Sequence, residues 1–460
     1  MTINSKLAQS RQQRIQKTAQ TCHTNDFFSV LTSPELLDVV EELLPEHRER
    51  KYPPTEALSM FLSQALNEDS SCQQVVNEAA MSRVALGLSP GSISTGGYCK
   101  ARQRLPLDMV SSLVRKSGEL IVDRLPNSWQ WKGKRVCLVD GTTVNMPDTT
   151  ANQQAYPQQG AQKEGLGFPI CRIVGVFCLS SGAALNAAVG RFNGKGGDEQ
   201  TLLRTMQEAF TADDLVMGDA FFGTYFLLAF LSSRKINAVF EQMGARKRVT
   251  DFRKGQCLGA KDHLITLSKP KKKPDWMDPE EYEAAPDELV IRELKVGPKI
   301  LITTLLSPKD ASKQELKLLY KQRWQVELNL RDLKTTMGME HLTCKTPEMN
   351  QKEIWIYLLA YNLIRILMAQ AASLADILPN QLSFKHTLQL WITRPNSSGF
   401  SLEQKAILFI LIAQKRVGNR PNRTEPRAVK QRPKPFPLLM VPRPIARKKI
   451  EKNGHPKKLK

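Results

Sequence analysis

Apolar and polar positions follow different rhythms in different parts of this chain. Over roughly the first 125 residues apolar residues recur at helical spacing. In "SPELLDVVEELLPE" Ser33 stands as an N-cap with Pro34 at the first helical position, and Pro53 and Pro54 open a second helix through "TEALSMFLSQAL". A Gly-rich connector, "SPGSISTGG", then leads into a basic segment with Lys100, Arg102 and Arg104, ahead of an amphipathic helix. A compact helical unit followed by a basic helix suits DNA recognition, and a plain helical domain with a basic surface fits the same pattern.

From Lys134 the rhythm shortens to that of strands. "KRVCLVDGTTVNMPD" predicts a buried strand over Val136 to Val139 that runs into Asp140. "PICRIVGVFCLSS" and "GAALNAAVGRF" predict two more, joined by a Ser-Ser-Gly turn. A helix ("DEQTLLRTMQEAF"), a strand ("DLVMGDAFF", with Asp219 near its end), a helix ("GTYFLLAFLSSRK") and a strand ("INAVFEQM") complete an α/β layout on a mixed sheet. Strand-length pieces between Arg246 and Pro308 interrupt it as a β-rich insertion.

Helical spacing returns in "LLYKQRWQVELNLRDLK", Leu318 to Lys334. At about 100° per residue Tyr320, Arg323, Glu327 and Lys334 fall within an arc of roughly 60°. Leu319, Val326, Leu330 and Leu333 flank that arc on one side and Trp324 and Leu328 on the other, so the polar stripe is expected to be fenced by apolar residues. A solvated charged face, the common fate of such stripes, would not be fenced. Further on, "IWIYLLAYNLIRILMAQAASLADIL", Ile354 to Leu378, is long enough to span a bilayer. Asn362, Arg365, Gln370 and Asp376 inside it are costly in hydrocarbon, which predicts a buried core helix.

Charge narrows the partners. Lys and Arg number 66 against 45 Asp and Glu, a net charge of +21 that points to a polyanion, nucleic acid before anionic membrane. From Gln414 onward there are sixteen Lys or Arg and two Glu, so this Pro-rich tail supplies +14 of the +21. Such a composition builds no core and is expected to stay extended until it meets DNA. Eight scattered cysteines, none in a Cys-x-x-Cys pair, indicate neither a zinc finger nor a disulfide framework. The amino terminus has no apolar run, so no signal peptide is expected and a reduced cytoplasm fits.

Two aspartates near strand ends and one glutamate on a helix against the same sheet can converge. Hard oxygen donors of this kind suit Mg²⁺ or Mn²⁺, and a pair of ions about 3.5–4 Å apart runs phosphodiester chemistry. A carboxylate pair for glycoside hydrolysis is disfavoured by the charge surplus. Singly, either Asp also fits an ordinary turn or cap carboxylate. "NGKGGDEQ" around Lys195 lacks the spacing of a phosphate-cradling loop, so no nucleotide cofactor is expected.

At this point the residues match a family. "YKQRWQVELNLRDLK" fits the signature Tyr-(2)-Arg-(3)-Glu-(6)-Lys, and the chain resembles bacterial insertion-sequence transposases of the DDE class, insertion-sequence-four group. "LVDGTTVNMPD" and "VMGDAFFGTY" look like the segments that hold the family's two aspartates. The resemblance implies a ribonuclease-H-like core with a β-rich insertion ahead of the glutamate helix. It implies Asp140, Asp219 and Glu327 as metal ligands, with Tyr320, Arg323 and Lys334 on the phosphates of the transposon end. Lys345 in "LTCKTPE" is a further candidate phosphate contact, and Lys100, Arg102 and Arg104 candidates in the N-terminal domain. Trp276, the one Trp of the insertion, is the candidate to hold a flipped base, though its polar surroundings match poorly and a loop anchor is the alternative.

The expected division is a helical DNA-binding domain at 1–125, a catalytic core at 126–244 and 310–378, an insertion at 245–309, a helical region at 379–413 and a basic tail at 414–460. "LEQKAILFILIAQKR", Leu402 to Arg416, is a candidate dimer helix, with core packing as its alternative. The resemblance further implies cut-and-paste transposition at terminal inverted repeats of double-stranded DNA, through a hairpin, by a homodimer in a synaptic complex. A metal-dependent nuclease or resolvase of the same fold, and an inactive DNA-binding relative, are the competing readings.

Overall fold

The computed structural model describes residues 34–44, 52–67, 69–85, 87–194, 196–242, 250–393, 402–418, 437 and 439–457. Ser33, read above as a cap, and Lys195, in the Gly-rich segment dismissed above as a phosphate cradle, lie outside them. The described residues begin with five helices: α1 (Pro34–Leu43), α2 (Pro54–Leu66), α3 (Cys72–Ala85), α4 (Thr95–Arg104) and α5 (Leu107–Asp123). Pro54 starts α2 after an extended Pro53, where the missing N–H costs nothing. Gln64 on α2 accepts from the Tyr98 hydroxyl at 2.9 Å and from Arg102 at 3.0 Å, which ties α4 to α2.

The sheet follows. β1 (Val136–Asn145), α6 (Thr150–Ala155), β2 (Ile170–Cys178), β3 (Ala184–Arg191), α7 (Glu199–Arg204), β4 (Leu215–Met217), α8 (Tyr225–Ser233) and β5 (Asn237–Glu241) come in that order. Then come β6 (Gln256–Gly259), β7 (Asp262–Ser268), α9 (Pro279–Ala284), β8 (Glu288–Val296) and β9 (Lys299–Thr303). All nine strands form one sheet, in the order β3-β2-β1-β4-β5-β9-β8-β7-β6. β2 runs antiparallel to β1 and β3, whereas β4 and β5 run parallel to β1. An antiparallel meander followed by two crossover strands is the ribonuclease-H-like arrangement.

Three sequence expectations are corrected here. β1 does not stop at Asp140: the Gly-Thr-Thr stretch continues the ladder on β2 as far as Asn145 opposite Ile170. β4 is only three residues long, because Asp219 turns the chain and caps Phe221 N–H with its own side chain at 2.8 Å. The insertion, expected as a unit of its own, lengthens the core sheet instead. β5 would be an exposed edge, and β9 pairs along it from Val239 opposite Thr303 to Glu241 opposite Leu301.

The remaining helices are α10 (Lys313–Lys321), α11 (Gln325–Arg331), α12 (Pro347–Leu374), α13 (Phe384–Thr393), α14 (Leu402–Gln414) and α15 (Arg443–Asn453). α12 is long and apolar enough to cross a membrane, but it is the central core helix. Its Asn362 donates to the carbonyls of Val114 on α5 and Ala184 on β3, at 3.0 and 2.8 Å, and so joins the N-terminal helices to the sheet. On α14, Leu408 and Ile412 enter the core while Ile407, Ile410 and Leu411 stay exposed, so the two readings of this helix each fit one of its faces. The tail is not extended throughout: residues 443–453 form α15, because Pro-free "IARKKIEKN" has good helix formers once Pro444 has started the turn. Residues 419–436 lie outside the described ones.

Candidate active site

β1 and β4 stop pairing at Leu138 opposite Met217. Asp140 and Asp219 each follow two residues later, so both carboxylates stand at one level where the ladder has opened. Leu138 and Met217 face the same core as Leu319, Val326, Leu330 and Leu333. Alternation along β1 turns Asp140 to that same side. Asp140 accepts from Gly141 N–H at 2.9 Å. Burial, reinforced by the charge of Asp219, pushes the Asp140 carboxyl up to about 7.

The signature segment is helical from Lys313 to Thr336 but not uniform. It starts with a capping box between Ser312 and Glu315, tightens to a 3-10 turn at Gln322–Trp324 and widens to a π turn at Asp332–Thr336. π turns recur at functional sites because one extra residue re-aims the side chains around it. The Tyr320 hydroxyl, buried, donates to the carbonyl of Gly218 at 3.2 Å, immediately before Asp219. Arg323 donates to Glu327 at 2.8 Å. Burial opposes the Arg323 charge, but the hydrogen bond to Glu327 and the nearby Tyr320 and Asp140 outweigh it and raise its pKa. Asp140, Glu327 and Lys334 line one open cavity of about 320 Å³, walled also by Leu330, Arg331 and Glu340.

The expected apolar fence exists on one side only. Leu319, Val326, Leu330 and Leu333 are buried, whereas Trp324 is 55% exposed and Leu328 half-buried. The open flank leaves an indole at the solvent edge of the site, where the sequence reading placed packing.

Other candidates lie apart. Lys345 is exposed beyond the cavity, its carbonyl accepting from Thr149 at 2.9 Å. Lys100 and Arg104 are exposed on α4. Arg102 is a correction: it is 8% exposed, packed 4.6 Å over the Phe61 ring, because its position on α4 faces the core and not the basic surface. Trp276 has Arg204 stacked on it at 3.4 Å and Phe226 at its edge, so the ring pins the insertion against α7 and α8.

One acidic residue was missed by sequence reasoning. A Cβ on Gly141 would lie 2.3 Å from the Glu199 carboxylate, so Glu199 reaches β1 through the gap that this glycine leaves. Arg172 steadies it at 3.8 Å. Burial raises the Glu199 pKa, and the charge of Asp219 adds to the rise. The only sequence signal was the glycine directly after Asp140.

Hard carboxylate donors at the opened strand ends, with no cation in an ion pair with Asp140 among the described residues, fit a divalent cation. Among the described residues no three His, Cys, Asp or Glu side chains are gathered closely enough to enclose one. Asp140 and Glu327 share the cavity wall, Asp219 is not part of that wall, and Glu327 is engaged by Arg323 at 2.8 Å.

Strand order, paired aspartates and the signature helix together define a polynucleotidyl transferase of the DDE type. The chain belongs to the transposase DDE domain family, matched over residues 131–363, and is a DNA transposase that depends on divalent metal ions. It is similar to the transposase InsG for insertion sequence element IS4 of Escherichia coli strain K12, 27% identical over 409 residues, covering 85% of this chain and 88% of that protein. It is also similar, at a TM-score of 0.41 and 11% identity over 80% of this chain and 78% of the other, to the piggyBac transposase in a synaptic complex with hairpin DNA.

Proposed function

We propose that Asp140, Asp219 and Glu327 are the metal ligands of this transposase, that Mg²⁺ or Mn²⁺ is the native ion and that two ions act together. The single observation that carries the reading is that Asp140 on β1 and Glu327 and Lys334 on the signature helix wall one cavity although nearly two hundred residues separate them. When bound, the ions supply activation of water or a 3′-hydroxyl and stabilisation of the leaving oxygen.

The chain's own residues do the rest. Arg323 holds Glu327 in waiting, and a DNA phosphate arriving beside Arg323 competes for its guanidinium and frees the carboxylate for metal. Lys334 and Lys345 bind phosphates on the rim, and Tyr320 fixes the signature helix against the turn that carries Asp219. Lys100 and Arg104 contact the duplex further out. The exposed Trp324 offers a stacking surface beside the cut, a better placed one than Trp276.

The substrate is the pair of terminal inverted repeats of the chain's own insertion sequence. Each end is nicked by water, the freed 3′-hydroxyl attacks the opposite strand to close a hairpin, and water reopens the hairpin so that the regenerated 3′-hydroxyl can join target DNA in the bacterial cytoplasm. Two copies act in a synaptic complex, the exposed apolar face of α14 being the surface offered for pairing.

The deciding experiment is cleavage of a labelled duplex bearing the element's end with Mg²⁺ or Mn²⁺, wild type against Glu327→Ala. A wild-type nick at the repeat boundary followed by a hairpin, both lost in the variant while gel-shift binding without metal persists, is the expected result. Loss of metal-free binding in the variant, or a variant that still cuts, overturns the assignment of Glu327.

A further inference from the structure

A strongly charged surface outside the active site, among the described residues, is α15. We propose that this helix is a docked phosphate-binding strip that holds the duplex backbone beside the catalytic cleft without regard to sequence, an inference that rests on the DNA-transposase reading of the cleft.

The helix is pinned by its first turn. Arg443 pairs with Asp148 and lies 4.6 Å from the centre of the Phe168 ring. The preceding Pro442 packs on Gly165, where a Cβ would come within 2.9 Å of it. Arg443, Ala446 and Ile450, spaced by three and four, form the half-buried face. Arg447, Lys448, Lys449 and Lys452 point to solvent, and among the described residues none of them is in an ion pair.

Four cations stand against one carboxylate, Glu451, within six residues, and they repel one another, Lys448 and Lys452 at the unfavourable i,i+4 spacing. A helix held in that state against the body of the protein is poised for a polyanion. Its 11 residues span about 16 Å, roughly five phosphates of one strand at 3.4 Å each.

The anchor fixes where that polyanion runs. Asp148 lies on the loop that leaves β1 eight residues after Asp140. Asn145, just before it, donates through its N–H to the carbonyl of Glu340 in the cavity wall at 3.0 Å, and Thr149, just after it, holds Lys345. Cations therefore continue from Lys334 through Lys345 to α15, along one side of the cleft. Lys and Arg on phosphates position a duplex and read no bases.

The test uses the full chain with all four cations changed, Arg447→Ala, Lys448→Ala, Lys449→Ala and Lys452→Ala. These sites are exposed and alanine favours helix, so an unchanged circular dichroism spectrum certifies the fold. Anisotropy titrations against salt, on an element-end duplex and an unrelated duplex, read the contacts. At a slope of about 0.9 per phosphate contact, the variant should flatten the log–log salt dependence by roughly 2–4 and weaken both duplexes equally.

Unchanged slope and affinity overturn the proposal, as does a loss confined to the element end. A second variant, Asp148→Asn with Phe168→Ala, keeps the charges and frees the helix. Hydroxyl-radical protection of the backbone next to the cut should then fade while the salt slope stays, and a footprint identical to wild type overturns the docking. Wild-type cleavage in the same preparations reports on the transposase reading separately.

Discussion

The hydroxyl of Tyr320 donates to the carbonyl of Gly218 at 3.2 Å, so the helix that carries Glu327 is bolted to the turn that carries Asp219. Tyr320→Phe removes this bond and little else. A single neutral hydrogen bond contributes about 0.5–1.5 kcal/mol, so urea denaturation should show a loss of that size. Strand cleavage should fall by more than that destabilisation predicts, because the two elements proposed to hold the metal lose their register. Cleavage that follows stability alone would leave Tyr320 an ordinary core residue.

Asp140 gives a pH dependence with a definite sign. Its carboxyl is raised from its ordinary value of 3.8 to about 7, chiefly by burial. A group whose folded pKa is raised contributes stability that is present below the unfolded value and lost as pH rises through the folded one. Metal-free protein should therefore lose Tm between about pH 4 and 7, and Asp140→Asn should lose less. Thermal scans without and with Mg²⁺ at pH 8 check this, the ion raising Tm in wild type more than in the variant. Parallel pH profiles for the two proteins would contradict it.

Gly141 and Glu199 form a pair in which the small residue makes room for the acid. Gly141→Ala would force the carboxylate away, since a Cβ falls 2.3 Å from it. If Glu199 helps hold the cation, Glu199→Gln and Gly141→Ala should both weaken Mn²⁺ binding, by about tenfold in an electron paramagnetic resonance titration, in line with other outer-sphere partners. An effect of Gly141→Ala on stability with no effect of Glu199→Gln on Mn²⁺ affinity would assign the glycine to packing alone.

Arg365 on α12 reaches Asn329 at 2.8 Å and Asp332 at 3.4 Å on the signature helix, all three largely buried. Arg365→Ala takes away the buried partner of Asp332 and leaves it the exposed Arg331 at 3.7 Å and the Thr336 hydroxyl at 3.5 Å, a change that costs at most roughly 3–5 kcal/mol. Chemical denaturation should show that loss, and Asp332→Asn in the same background should recover part of it. Additive effects of the two substitutions would mean that the pair is not coupled.

Local pattern was enough to place most elements. Alternation and helical spacing marked the strands of the core, the long buried helix and the run that holds Tyr320, Arg323, Glu327 and Lys334, because these periods are set by backbone geometry alone. Asp140, Asp219 and Glu327 could be singled out as a candidate set because their residue types and order match a family signature. The reach of β1 past Asp140 was not legible, since Gly-Thr-Thr is as good a turn as a strand until β2 lies alongside. Nor was the merging of the insertion into the main sheet, which depends on β9 finding the free edge of β5. Arg102 looked like surface and is core, and Trp324 looked like packing and is exposed, because the side a helix turns inward is decided by what packs on it. Glu199 came to light only when the fold brought α7 over Gly141. The sequence by itself thus determined the elements and the chemical kind of the site, through periodicity and residue type. Which side chains meet, and which carboxylate stands beside the strand ends, was decided by tertiary packing, where contacts between distant segments outweigh local preference.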